Sequence, residues 1–197
     1  MNYLAHAYLS FGHEQILVGN LISDFVKGKK KFDYPGNIQK GIILHRAIDT
    51  FTDNHVVTKS AKNIFRQAYR LYSGPFVDVV YDHFLAADPN IFTKDSLADF
   101  SKEVYGVLDR YDQFLPANFA QMFPYMKLHN WLFNYRSRRG IELSFGGLVK
   151  RALYLRESDT AIALFGEHYD TLRDHYNAFF PELKSFAFVL FEEFRAM

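Results

Sequence analysis

Within the stretch Gly41 to His55, GIILHRAIDTFTDNH, stand two imidazoles and two carboxylates: His45, Asp49, Asp53 and His55. Side chains four apart on a helix lie one above the other, so His45 and Asp49 share a face and Asp53 continues it. That spacing suits metal ligation or acid–base chemistry. Asp82 and His83 lie in a second apolar segment, VYDHFL, and Asp24 in GNLISDF offers a third carboxylate. Oxygen and nitrogen donors from separate helices would then converge on one ion. A hard divalent cation suits the carboxylates, and imidazole widens the choice towards manganese, iron or zinc.

Each residue also has a plainer reading. His45, Arg46 and Asp49 are then solvated helix residues, and Asp53-Asn54-His55 is a helix end with capping chemistry. For the set this is the weaker account. Ile42, Ile43, Leu44 and Ile48 surround His45 and Asp49 in sequence, so these polar groups sit near a core, where unpaired charge is costly. His6 in NYLAHAYL is a lone histidine in an apolar helix: a hydrogen-bonded core residue, or else a ligand or acid. His129 and Trp131 pack over a cleft or simply bury the one tryptophan. His13, His168 and His175 stand in polar surroundings.

Apolar residues recur every three or four positions through most of the chain, which predicts an all-α fold. Helices are expected over 2–10, 13–26, 36–53, 56–72, 74–86, 96–113, 117–134, 139–154, 159–178 and 180–195. Gly28 and Pro35 bracket a basic loop, and Ser73-Gly74-Pro75 and Asp88-Pro89-Asn90 mark breaks. With 197 residues and neither repeat nor linker, one domain spanning 1–197 is the expectation. The 21 phenylalanines and 13 tyrosines must be largely buried.

With no cysteine, disulfides, thiolate metal sites and cysteine nucleophiles are excluded, so any metal is held by nitrogen and oxygen. No apolar run approaches the roughly 20 residues that span a bilayer, and no basic leader opens the chain. The expectation is a soluble, cytoplasmic protein without a membrane partner. A net charge of +1 argues against a general nucleic-acid binder. Local basic groups remain: Lys27, Lys29, Lys30 and Lys31 after Asp24, and Arg136, Arg138 and Arg139 in NYRSRRG. They are solvated faces, or they attract phosphate or an acidic protein.

Four motifs in register, MNYLAHAYLS, GNLISDFVKG, GIILHRAIDTFTDNH and VVYDHFLA, make the chain resemble the bacterial acyl carrier protein phosphodiesterases. They cover about the first 90 residues; the C-terminal half adds WLFNY and RSRRG. That family is similar in turn to the HD-domain metal-dependent phosphohydrolases, although Asp82-His83 reads in the reverse order of their His-Asp dipeptide. The resemblance implies an HD-like helical domain that hydrolyses the phosphodiester between 4′-phosphopantetheine and a serine of holo-acyl carrier protein. It implies Asp24, His45, Asp49 and Asp82 as ligands of a divalent ion, manganese first, with magnesium, iron or zinc compatible. Asp24, His83 and His6 are the expected catalytic groups. Lys27, Lys29, Lys30, Arg46, Arg136 and Arg139 are expected to hold the acidic carrier protein. The competing expectations are a phosphohydrolase of a small nucleotide or phosphoester, and a non-enzymatic binder of an acidic partner.

Overall fold

Helical periodicity carries through to the structure, a computed structural model describing residues 1–196, in which no strand occurs among the described residues. Eleven α-helices follow one another: α1 (Tyr3–Tyr8), α2 (Glu14–Ile22), α3 (Gly36–Asn54), α4 (Val56–Tyr69), α5 (Ser73–Ala87), α6 (Lys94–Arg110), α7 (Ala117–Leu128), α8 (Trp131–Asn134), α9 (Arg138–Arg151), α10 (Asp159–Glu167) and α11 (Tyr169–Ala196). Tight 3₁₀ turns, Ser23–Phe25 and Gly28–Asp33, link α2 to α3.

Three boundaries depart from the periodic pattern. The helix expected over 117–134 divides at Asn130, whose φ of 42° lies in the left-handed region that asparagine tolerates better than most residues. The helix expected to end at 178 ends instead at Glu167, and the backbone turns at His168 (φ −106°, ψ 20°). Pro181 therefore lies inside α11. A helical proline removes one hydrogen bond to the carbonyl four residues back. Here that residue is the exposed Asn177, whose carbonyl water can reach. The helix expected over 13–26 stops at Ile22 and tightens into the 3₁₀ turn that carries Asp24.

α3 and α5 run through the middle. α5 buries Phe76, Val77, Val79, Val80, Tyr81 and Leu85 completely. Phe76 meets Tyr69 of α4 and Phe145 of α9 with ring centroids 4.3 Å and 5.0 Å apart, and Tyr81 stacks on Phe179 of α11 at 5.1 Å. α11 also crosses α3, where Phe51 and Phe186 stack at 4.7 Å. Lys40 of α3 donates to the Phe194 carbonyl near the end of α11 at 2.7 Å.

The contact that matters most for function is between α2 and α3, where two glycines remove the side chains that would hold the backbones apart. A methyl group on Gly19 would run into the Ile38 carbonyl, and one on Gly41 into the Ile16 carbonyl. Gly41→Ala is expected to destabilise the fold by about 1–3 kcal/mol through overpacking. Gly146→Ala in α9, where the added methyl meets nothing within 4 Å, is expected to gain up to about 1 kcal/mol of helix propensity. Thermal unfolding of both variants checks this, and equal behaviour would show that the helices can move apart freely.

A candidate metal centre of two imidazoles and a carboxylate

α1, α2 and α3 meet so that His6, His45 and Asp49 converge. His6 Nε2 stands 3.2 Å from Asp49 Oδ1, and His45 Nε2 stands 3.1 Å from Asp49 Oδ2. Asp24 reaches the group through His45, with its Oδ1 3.1 Å from the same Nε2. The two rings stack at 3.9 Å with 16° between their planes. Both imidazoles are buried, Asp49 is half-buried, and Asp24 stands 71% exposed at the mouth.

One residue fixes how both rings present themselves. The Asn20 carbonyl lies 2.7 Å from His45 Nδ1, and a carbonyl can only accept, so Nδ1 carries the proton. The Asn20 side-chain nitrogen donates to the His6 carbonyl at 2.8 Å and to Ser10 Oγ at 3.0 Å, which settles the amide orientation. Its Oδ1 then accepts from His6 Nδ1 at 2.8 Å. In their neutral forms both histidines therefore turn an Nε2 lone pair towards the Asp49 carboxylate. Among the described residues, no well-directed hydrogen bond reaches His6 Nε2. Lone pairs facing carboxylate oxygens require a cation between them, either a proton or a metal ion.

Without a metal the site settles on protons. Burial works against a charge on His45, but hydrogen bonds to Asp24 and Asp49 outweigh it and raise its pKa to about 9. Burial, and then the charge on His45, pushes His6 down to about 4. The Asp49 carboxyl is held far below the usual range: burial opposes its charge, and the Met1 amine with both imidazoles overcomes that. Asp24 is lowered chiefly by its hydrogen bond to His45.

The donor set fits a divalent ion. Its atoms lie within 4.8 Å of one another, and separations near 3.1 Å are what two neighbouring donors at about 2.1 Å from one ion would show. Each ring N–H on the far side donates to an oxygen, the arrangement that fixes a metal-ligating histidine in place.

The other sequence candidates stand elsewhere. Asp82 is fully buried and accepts from the backbone N–H groups of Asn2 (3.3 Å), Leu4 (2.7 Å) and Ala5 (3.3 Å). Its carboxylate is committed to the free N–H groups that open α1, which sets His6 in place rather than joining it. His83 donates from Nδ1 to the Tyr135 carbonyl at 2.7 Å, and its Nε2 accepts from the Tyr169 hydroxyl at 3.0 Å. Burial lowers its pKa, and the one proton of the neutral ring is committed to the Tyr135 carbonyl. Asp53 pairs with Lys62 at 2.6 Å, and His55 caps α4.

Of the basic residues, Lys27, Lys29 and Lys30 are exposed directly after the Asp24 turn. Arg46 donates to the Val26 carbonyl at 2.8 Å and so pins the base of that loop. Arg136 lies over the Phe133 ring, and Arg139 pairs with Glu142 at 3.4 Å. The sequence reading missed Asn20. Its signal is a single amide inside the apolar run ILVGNLI, where a buried polar group needs partners.

An all-helical fold with a buried histidine–aspartate centre narrows the class, and sequence comparison names it. The family model for acyl carrier protein phosphodiesterase matches residues 1–183, and the chain belongs to that family. The acyl carrier protein phosphodiesterase of Yersinia pestis is 31% identical over 184 residues, covering 93% of this chain and 95% of that protein. That of Klebsiella pneumoniae subsp. pneumoniae is 30% identical over 192 residues, covering 95% and 97%. That of Photorhabdus laumondii subsp. laumondii is 27% identical over 182 residues, 92% of each. No solved structure matches the chain.

Asn20→Leu is expected to weaken Mn²⁺ binding by about 10- to 100-fold, since outer-sphere partners of ligating histidines carry effects of that order. Titration calorimetry reads this, and unchanged affinity would detach Asn20 from the site.

Asp82 yields a pH-dependent expectation. Burial raises its carboxyl to about 7, against the Met1 amine and the three N–H donors. The unfolded value is about 3.9, so the unfolded chain releases its proton first, and Asp82 costs stability as pH rises from about 4 to about 7. Asp82→Asn loses an acceptor, at about 1–3 kcal/mol, and also loses that slope. Urea midpoints for the two proteins should draw closer between pH 5 and pH 8; a gap that widens would contradict the assignment.

Proposed function

We propose that this chain is a metal-dependent phosphodiesterase that removes 4′-phosphopantetheine from the serine of holo-acyl carrier protein. The observation that carries this reading is the pair of Nε2 lone pairs facing the Asp49 carboxylate, in a family whose named members are acyl carrier protein phosphodiesterases.

His6, His45 and Asp49 would hold the ion, and Asp24 at the mouth would complete the donor set. Asp82, expected as a ligand, takes no part, because its oxygens close the start of α1. A divalent ion in such a site, manganese in first place, would lower the pKa of a water towards neutrality and offset phosphate charge. In the reaction, water adds to phosphorus, the bond from phosphorus to the serine oxygen breaks, and that oxygen takes up a proton. The products are apo-acyl carrier protein and free 4′-phosphopantetheine.

Asn20 keeps both imidazoles in the tautomer that offers Nε2. The buried rings and half-buried Asp49 leave Asp24 as the wet side of the centre, so substrate arrives past Asp24. The exposed Lys27, Lys29 and Lys30 beside it supply a positive surface that steers an acidic protein, with an effect that salt weakens.

Mass spectrometry of holo-acyl carrier protein incubated with the protein and Mn²⁺ tests the reading. Loss of the phosphopantetheine mass is expected, abolished by chelator and slowed at least about 100-fold in Asp49→Asn, as removal of a group acting in the transition state does. A competent holo-protein that keeps its mass with every divalent metal would overturn the proposal.

A further inference from the structure

One cation near the mouth belongs to neither basic run. Arg151 closes α9, and its side chain is exposed. Its Nη1 lies 3.9 Å from Met122 Sδ, and the Tyr3 hydroxyl donates to the same sulfur at 3.7 Å. Tyr3 stands three residues before His6 on α1, so the phenol and the imidazole share a face. Arg151 and Asp24 both act on that phenol. Burial raises its pKa to about 12, Arg151 pulls it down and Asp24 pushes it up. The phenol stays protonated and remains a donor. Among the described residues no carboxylate lies within ion-pair distance of Arg151, so its guanidinium is not held by an acid.

The surroundings define what fits. Tyr3 packs against Phe119 and Trp131 with ring centroids 6.5 Å and 6.3 Å apart, and Phe25, next to Asp24, packs on Phe119 at 5.4 Å. A guanidinium and a phenol hydroxyl thus meet at Met122 beside an aromatic cluster that reaches Phe25, the neighbour of Asp24. Both are donors, and neither duplicates the acceptors that Asp24, Asp49 and the imidazoles present. Two donors, one of them charged, favour an anionic group there.

We infer that Arg151 and Tyr3 form the phosphate anchor of the site, donating to a non-bridging phosphate oxygen while the histidine–aspartate centre faces the reacting side. The inference rests on the phosphodiesterase reading of the same centre. A guanidinium suits the task because its planar fork meets phosphate oxygens two at a time, which an ammonium group cannot do.

The test uses the whole chain and the variants Arg151→Met, Arg151→Lys and Tyr3→Phe, with inorganic phosphate as probe in the presence of Mn²⁺. Calorimetry is expected to show Mn²⁺ affinity unchanged in all three. Phosphate affinity should fall about 10- to 100-fold in Arg151→Met, the range for a charged hydrogen bond, and by less in Arg151→Lys. Tyr3→Phe keeps the ring packing and should lose a few-fold. Thermal unfolding should not move for Arg151→Met, because the side chain is exposed. Equal phosphate affinity in wild type and Arg151→Met would overturn the inference, as would a wild-type protein that binds no phosphate. With holo-acyl carrier protein, kcat/KM should fall in parallel with phosphate affinity. If wild type fails to turn over that substrate while Arg151→Met still loses phosphate, the phosphodiesterase reading fails and the anchor stands.

Discussion

The backbones of α2 and α3 touch at Gly19 and Gly41, and the chemistry of the molecule is arranged around that contact. Two helices that carry side chains at their crossing stand 8–10 Å apart. Glycine at the crossing lets the main chain of one become a hydrogen-bonding partner for the side chains of the other. The Asn20 carbonyl thereby meets His45 at 2.7 Å, while the Asn20 side chain reaches across to His6 on α1. One residue orients two imidazoles on two different helices, and it does so only because it lies next to the point of closest approach. Asp82 contributes from the other direction, closing the start of α1 so that His6 arrives at a fixed height.

What results is an electrostatic imbalance with a defined sign. With both rings neutral, the carboxylates of Asp49 and Asp24 outnumber the one fixed positive charge beside them, the Met1 amine 3.4 Å from Asp49 Oδ1, in a partly buried site where the effective dielectric is low. Protonation of both rings would put two positive charges face to face at 3.9 Å, and the charge on His45, itself favoured by Asp24 and Asp49, adds to burial in lowering His6. A single divalent ion would satisfy the same donors without that conflict. The geometry that leaves the metal-free site in compromise is one that a bound divalent ion would relieve.

Much of this was legible in the chain. The helices follow from periodicity, and the pairing of His45 with Asp49 follows from a four-residue spacing on one of them. His6 and Asp24 stand out as polar residues in apolar segments. What spacing along one helix does not carry is where separate helices meet. Asp82-His83 has the right residue types, yet Asp82 turns towards α1 and His83 towards Tyr135 and Tyr169, because adjacent residues on a helix point about 100° apart. Asn20 looked like an ordinary amide, since its value lies in serving two partners that are 14 and 25 positions distant. Arg151 sits outside both basic runs, and only tertiary packing sets it beside Tyr3. The turn at His168 was misplaced for a local reason: Pro181 is the stronger breaker on paper, but its missing hydrogen bond falls on a wet carbonyl.

The tie from Arg46 to the Val26 carbonyl bears on how a partner would be received. The lysine-bearing turn it anchors is already folded into a 3₁₀ segment, Gly28–Asp33, rather than a free tether. Ordering one backbone residue costs about 1–2 kcal/mol, so a turn ordered in advance removes a penalty that a floppy basic arm would levy on every encounter. A basic surface ordered in this way spends less of its binding energy on its own ordering than a flexible arm of the same charge would.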